Sequence, residues 1–288
     1  MQPAEGTTYA EVLSQLESLS KEQPELQVFT EQLSRILKWQ QEVFDTFKPD
    51  MTKVDSAQGL KRNLKGKPFL RPEDLVIDHD QFHELLTKVA GEACRSQGND
   101  NQSGPQKPDE PHPELLRAIM YAEAETLAAC AEYFSLPVPI FVFSAHQALI
   151  PFLEGYAHAI REQIDESTWM RGRCPVCGGE PLMAKLTGEG GQRYLQCGLC
   201  RTEWLYKRME CPFCGNDDQD TLRYFFGEED KRRMVEVCEK CKGYIKTVDV
   251  RDMYRHVPLL VEDALTLPLD MAARQEGYGR GGSELFGL

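Results

Sequence analysis

Eight of the ten cysteines in this 288-residue sequence stand in four Cys-x-x-Cys pairs: Cys174/Cys177, Cys197/Cys200, Cys211/Cys214 and Cys238/Cys241. A Cys-x-x-Cys turn sets two thiolates on one side of a tight loop, half of a tetrahedral four-sulfur site, and a second such turn completes it. Four turns therefore predict two metal ions. Gly178, Gly215 and Gly243 fall just after three of the pairs, where unhindered backbone can fold its N–H groups toward thiolate sulfur. Tetrahedral sulfur geometry suits zinc and a single rubredoxin-like iron alike. Thioredoxin-type dithiol exchange is disfavoured, because one reactive pair does not require three more and no βαβ pattern surrounds them.

Two pairings are open: consecutive, first with second and third with fourth, or interleaved. The segment RTEWLYKRME, between Cys200 and Cys211, alternates like a strand long enough to leave one ribbon and enter the next, which favours the consecutive arrangement. Cys94 and Cys130 stand alone in helical patterns and read as buried thiols. His146 and His158, twelve residues apart, would lie about 18 Å apart along one helix and cannot share an ion. The other histidines show no ligand motif. Hairpins of this size cannot bury enough apolar surface to offset chain entropy alone, so ligation must supply the deficit.

The elements that must position these cysteines follow from periodicity. Thr8 and Glu11 have capping-box spacing before a short amphipathic helix, and a longer helix runs from Pro24 to Pro49. Residues 49–77 read as an irregular connector. Asp78 can cap a helix carrying Phe82, Leu85, Leu86 and Val89, and residues 96–113 read as a flexible segment. One strong helix is expected over 114–134, then a central apolar helix that Pro151 should kink or divide. Beyond Trp169 the pattern changes to short strands at 182–186, 193–197, 202–208, 222–226, 234–238 and 244–250. A helix over 257–271 and an extended tail complete an α+β chain.

A net charge of −13 weighs against a nucleic-acid partner. No run of eighteen apolar residues and no signal-peptide pattern is present, so the reading is cytoplasmic, where paired thiols are metal ligands more often than disulfides.

The motifs RCPVCGGEP at 173–181, RYLQCGLCRTEW at 193–204, ECPFCG at 210–215 and VEVCEKCKGYIK at 235–246 resemble the FdhE family of formate dehydrogenase accessory proteins. The resemblance continues through VEDALTLPLDMAARQEGYGR at 261–280. It implies a helical domain over 1–170, a rubredoxin-like or zinc-ribbon-like module over 171–209, a second over 210–256, and a C-terminal helix and tail over 257–288. It also implies one ion on Cys174, Cys177, Cys197 and Cys200 and one on Cys211, Cys214, Cys238 and Cys241, with iron favoured and zinc possible. The implied role is maturation of formate dehydrogenase through contact with its catalytic subunit. The sequence departs from the family pattern at Leu205, at Glu262-Asp263 and at Glu284-Leu285-Phe286, none of them a proposed ligand.

Two other functions compete. A rubredoxin-like electron carrier would use the same eight thiolates. A zinc-ribbon nucleic-acid binder would use Lys231, Arg232 and Arg233, which the acidic total makes a solvated cluster. An enzyme is not expected, since closed four-ligand sites leave no open coordination position and no nucleophile–base pair is visible.

Overall fold

A computed structural model of the chain describes residues 7–96, 114–165, 168–227, 230–253 and 257–281. The first half is helical. Helix α1 (Tyr9–Glu22) begins with the expected capping box, in which the Glu11 N–H donates to Thr8 and the Glu11 carboxylate accepts from the Thr8 N–H. A single turn at Pro24–Leu26 leads into α2 (Gln27–Thr46). The connector expected at 49–77 contains a helix: α3 (Ser56–Leu64) is capped by Asp55, whose carboxylate accepts from the Gln58 N–H. Gly59 inside it permits close packing, because a Cβ there would meet the Phe69 ring at 2.6 Å.

Helix α4 (His79–Ser96) starts where Asp78 accepts from the Asp80 and Gln81 N–H groups. The segment read as flexible lies, beyond its first residue, outside the described residues. The single helix expected at 114–134 is two, α5 (Leu115–Tyr121) and α6 (Ala124–Tyr133). The break is Ala122, in the left-handed conformation at φ 54°. Helix α7 (Val138–Ile160) runs through Pro151 without a boundary. Its length and apolar character would let it cross a bilayer, yet most of it is buried among α2, α4, α5 and α6.

The second half is one sheet. Its strands are β1 (Pro181–Thr187), β2 (Gln192–Cys197), β3 (Glu203–Tyr206), β4 (Leu222–Phe226), β5 (Arg233–Cys238), β6 (Gly243–Asp249) and β7 (Gly279–Arg280). The order is β3-β2-β1-β6-β5-β4. Two antiparallel ribbons, β1–β2–β3 and β4–β5–β6, are joined by parallel pairing of β1 with β6, Met183 facing Lys246 through Leu186 facing Asp249. The Trp204 strand therefore lies at an outer edge, and β1 and β6 form the seam.

Helices α8 (Leu259–Leu265) and α9 (Leu267–Gln275) return the chain across the sheet, and β7 pairs with β6 at Gly243 and Tyr244. Under them Lys246, 1% exposed, is held by Asp263 at 2.8 Å and Asp270 at 2.5 Å, and Arg280 pairs with Asp263. Burying an unpaired ammonium is costly, and these carboxylates pair it.

Candidate metal centre

Three of the four cysteine pairs close their turn with the same backbone hydrogen bond. The Gly178 N–H donates to the Cys174 carbonyl at 3.0 Å, the Gly215 N–H to Cys211 at 2.9 Å, and the Lys242 N–H to Cys238 at 2.8 Å. The residue after each second cysteine has positive φ: Gly178 at 76°, Arg201 at 54°, Gly215 at 70° and Lys242 at 58°. Two of these four positions carry long side chains, so of the three glycines expected to free the backbone beside a pair, Gly178 and Gly215 occupy the positive-φ position. Gly243 serves a different purpose, since a Cβ there would stand 3.2 Å from the Cys241 sulfur. Gly179 is its counterpart, with a Cβ 3.0 Å from the Cys197 sulfur.

The turns meet in consecutive pairs. Cys174, Cys177, Cys197 and Cys200 form one cluster, Cys211, Cys214, Cys238 and Cys241 another, with all sulfurs of a cluster within 4.8 Å of one another. The closest sulfur–sulfur separations are 3.4 and 3.5 Å in the first and 3.7 Å in the second. A tetrahedral ion with bonds of about 2.3 Å to sulfur has edges of about 3.8 Å. The donor set and its spacing fit one tetrahedral ion in each cluster. Among the described residues no histidine and neither Cys94 nor Cys130 joins a cluster. Burial pushes the Cys130 thiol up to about 11 and lowers His146 to about 4.

The first cluster is interior, with its four cysteines no more than 2% exposed. Two arms of the helical half hold it. The Phe69 and Leu70 N–H groups donate to the carbonyls of Pro175 and Val176 at 2.8 and 2.9 Å. On the other side Arg201 reaches between helices: its guanidinium lies 3.3 Å from Glu154, donates to Gln40 at 2.9 Å and sits 4.7 Å from the centre of the Tyr9 ring. In the second cluster Cys211 and Cys238 are buried while Cys214 and Cys241 are exposed.

Backbone groups aim at sulfur in both. The Gly179 and Leu199 N–H groups donate at 3.4 Å to Cys177 and Cys197. Burial pushes the Cys174 thiol well up; in Cys197 burial acts the same way but hydrogen bonds from Cys174, Cys177 and Cys200 outweigh it and hold the thiol well down. Burial likewise raises Cys238, and the N–H groups of Cys241 and Lys240 overcome it, bringing it to about 7. Metal binding at a four-cysteine site releases the protons its thiols carry. Sequence reasoning missed Asn216, whose side-chain amide donates to Cys238 at 3.5 Å and to Thr221 at 2.8 Å. Its place just after the Cys-x-x-Cys-Gly turn is the one signal that could have found it.

The family model described as the FdhE central domain matches residues 173–208, and that of the FdhE C-terminal domain matches 209–286. An FdhE homolog of Aquifex aeolicus is 27% identical over 271 residues, covering 92% of this chain and 90% of that protein. One from Pseudomonas aeruginosa is 34% identical over 151 residues, covering 46% and 48%. The crystal structure of the Pseudomonas aeruginosa FdhE protein superposes with a TM-score of 0.63 at 22% identity, covering 98% of this chain and 97% of that one. Both four-cysteine clusters lie inside the matched domains, so residues 173–286 match the FdhE family, and similarity to an FdhE homolog spans nearly the whole length of the chain.

Proposed function

We propose that this protein is a maturation factor for formate dehydrogenase that binds the enzyme's catalytic subunit in the cytoplasm, with one ion in each four-cysteine cluster. The observation that carries the reading is the pair of four-cysteine clusters within the two domains that match the FdhE family. Cys174, Cys177, Cys197 and Cys200 would hold one ion, and Cys211, Cys214, Cys238 and Cys241 the other. Iron is favoured by the family resemblance, and zinc suits the same donors. Bound, such an ion staples its two turns and, if iron, adds a one-electron redox centre. No catalytic residue is assigned, and the protein acts by binding rather than turnover.

Metal analysis of anaerobically prepared protein is expected to give two ions per chain. Anaerobic capture is expected to recover the catalytic subunit, and deletion of the gene to abolish formate dehydrogenase activity. Failure of both capture and deletion would sink the reading.

A second reading, an electron carrier, is favoured by the exposure of Cys214 and Cys241, which brings the second cluster to the surface where a redox partner can approach. It expects a reversible redox step in the anaerobic protein, and a spectrum without iron absorption ends it.

A further inference from the structure

Strand β4 ends the sheet: β5 pairs with one edge, and among the described residues no strand pairs with the other. Side chains alternate across it. Phe225 packs with Val235, Val237 and Tyr244 beneath α9, which puts Leu222, Tyr224 and Phe226 on the opposite face. There Tyr224 is 65% and Phe226 40% exposed, with ring centres 6.2 Å apart. The face continues into a cleft between β4, β5 and the segment 208–213, where Met209 is 47% exposed and Cys211 and Cys238 form part of the wall. Three large apolar side chains exposed together at a free strand edge mark an interaction surface more often than a bare one.

The charge around this face points to the partner's chemistry. Arg193 and Arg208 share one carboxylate, Glu236, at 2.6 and 2.7 Å, and the Nε of Arg193 has no partner among the described residues. On the other face of the strand, that of Phe225, Arg223 is 3.9 Å from Glu239, which Lys242 already holds. The Lys231 ammonium stands 5.7 Å from the centre of the Phe226 ring. Three arginines, Arg193, Arg208 and Arg223, and two carboxylates, Glu210 and Glu236, thus line the cleft of a chain whose net charge is −13.

We propose that β4 and its cleft receive an extended segment of the partner protein that alternates apolar with acidic residues and adds a strand to the sheet. Main-chain hydrogen bonds to the free edge supply affinity, apolar side chains enter the cleft beside Tyr224 and Met209, and carboxylates meet Arg208 and Arg223. The identity of the partner as the catalytic subunit of formate dehydrogenase rests on the function proposed above.

The test uses the full chain, purified anaerobically, and the formate dehydrogenase catalytic subunit. Tyr224→Asp/Phe226→Asp and Arg208→Glu/Arg223→Glu are compared with Leu64→Asp, whose side chain is 88% exposed on α3. Circular dichroism and metal content verify each fold. Both β4 variants are expected to weaken capture at least about tenfold, with Leu64→Asp unchanged. Undiminished capture by the β4 variants overturns this inference alone; absence of capture by the wild-type protein overturns the binding part of the functional reading and this inference with it. In a second arm, overlapping twelve-residue peptides of the subunit are probed with the wild-type chain. Binding concentrated in apolar, Asp- and Glu-bearing peptides is the expected result, and a preference for Lys- and Arg-rich peptides overturns it.

Discussion

Arg201 adopts a left-handed backbone at φ 54° that costs an L-residue about 1–2 kcal/mol, and a glycine would relieve it. The arginine is retained where its guanidinium meets the Glu154 carboxylate, 9% exposed, which also accepts from the Tyr9 hydroxyl at 2.6 Å. Removing one partner of a buried pair costs about 3–5 kcal/mol, which exceeds the strain released. Arg201→Gly is therefore expected to lose about 2–4 kcal/mol in urea denaturation. Burial already holds the Glu154 pKa above the usual carboxylate range, and loss of Arg201 raises it further. A carboxyl whose folded pKa lies above its unfolded one loses stabilisation as pH rises, so the deficit should be larger at pH 8 than at pH 5. Adding Glu154→Gln should remove that pH dependence. The opposite sign holds at Asp263: burial raises its pKa, but Arg280 and Lys246 outweigh it and hold the carboxyl below the usual range. Its contribution is complete above about pH 4 and fades as pH falls through the depressed value. Asp263→Asn is expected to cost about 3–5 kcal/mol at pH 7 and to flatten the acid limb of the stability profile.

The six strands of the two ribbons lie within a residue or two of their expected positions, because short runs of apolar, β-branched or aromatic residues stand between turn signals. The clusters were legible for the same local reason: ligands three residues apart on adjoining hairpins leave few ways to meet. What stayed hidden was non-local or lacked a marker. Ala122 breaks α5 from α6 without a glycine or proline to announce it, and α3 is nine residues interrupted by Gly59. The β1–β6 seam joins residues some sixty positions apart, Met183 with Lys246, by parallel pairing that no turn encodes. The seam is reinforced at Gly172, just before the first cluster, where a Cβ would stand 1.8 Å from the Pro212 carbonyl oxygen of the second. Gly172→Ala must push the two turns apart, and a loss of about 1–3 kcal/mol is expected in thermal or denaturant unfolding. A neutral substitution would mean that the loops yield without disturbing either cluster.

At the scale of the whole molecule the two clusters differ in how they meet solvent, and this sets the order in which the proposed ions should leave. The first lies between the sheet and the helical half, its cysteines sealed by Phe69, Leu70 and Arg201, so a chelator reaches it only when those arms release. The second presents Cys214 and Cys241 at the surface, where a chelator can attack while the fold stays closed. Metal release into a thiol-competent chelator is therefore expected in two phases of one ion each, the first at least about tenfold faster, a barrier difference of about 1.4 kcal/mol. The three tryptophans assign the phases. Trp39 lies in α2, while Trp169 and Trp204 donate from their indoles to the carbonyls of Arg173 and Arg171 beside the first cluster. Residues 205–288 contain no tryptophan. The fast phase should leave tryptophan emission and helical dichroism unchanged, and the slow phase should shift both as the helical half loosens. Cys214→Ser should remove the fast phase and spare the slow one. A single phase that moves emission and metal together would show that the continuous sheet makes the two sites open as one.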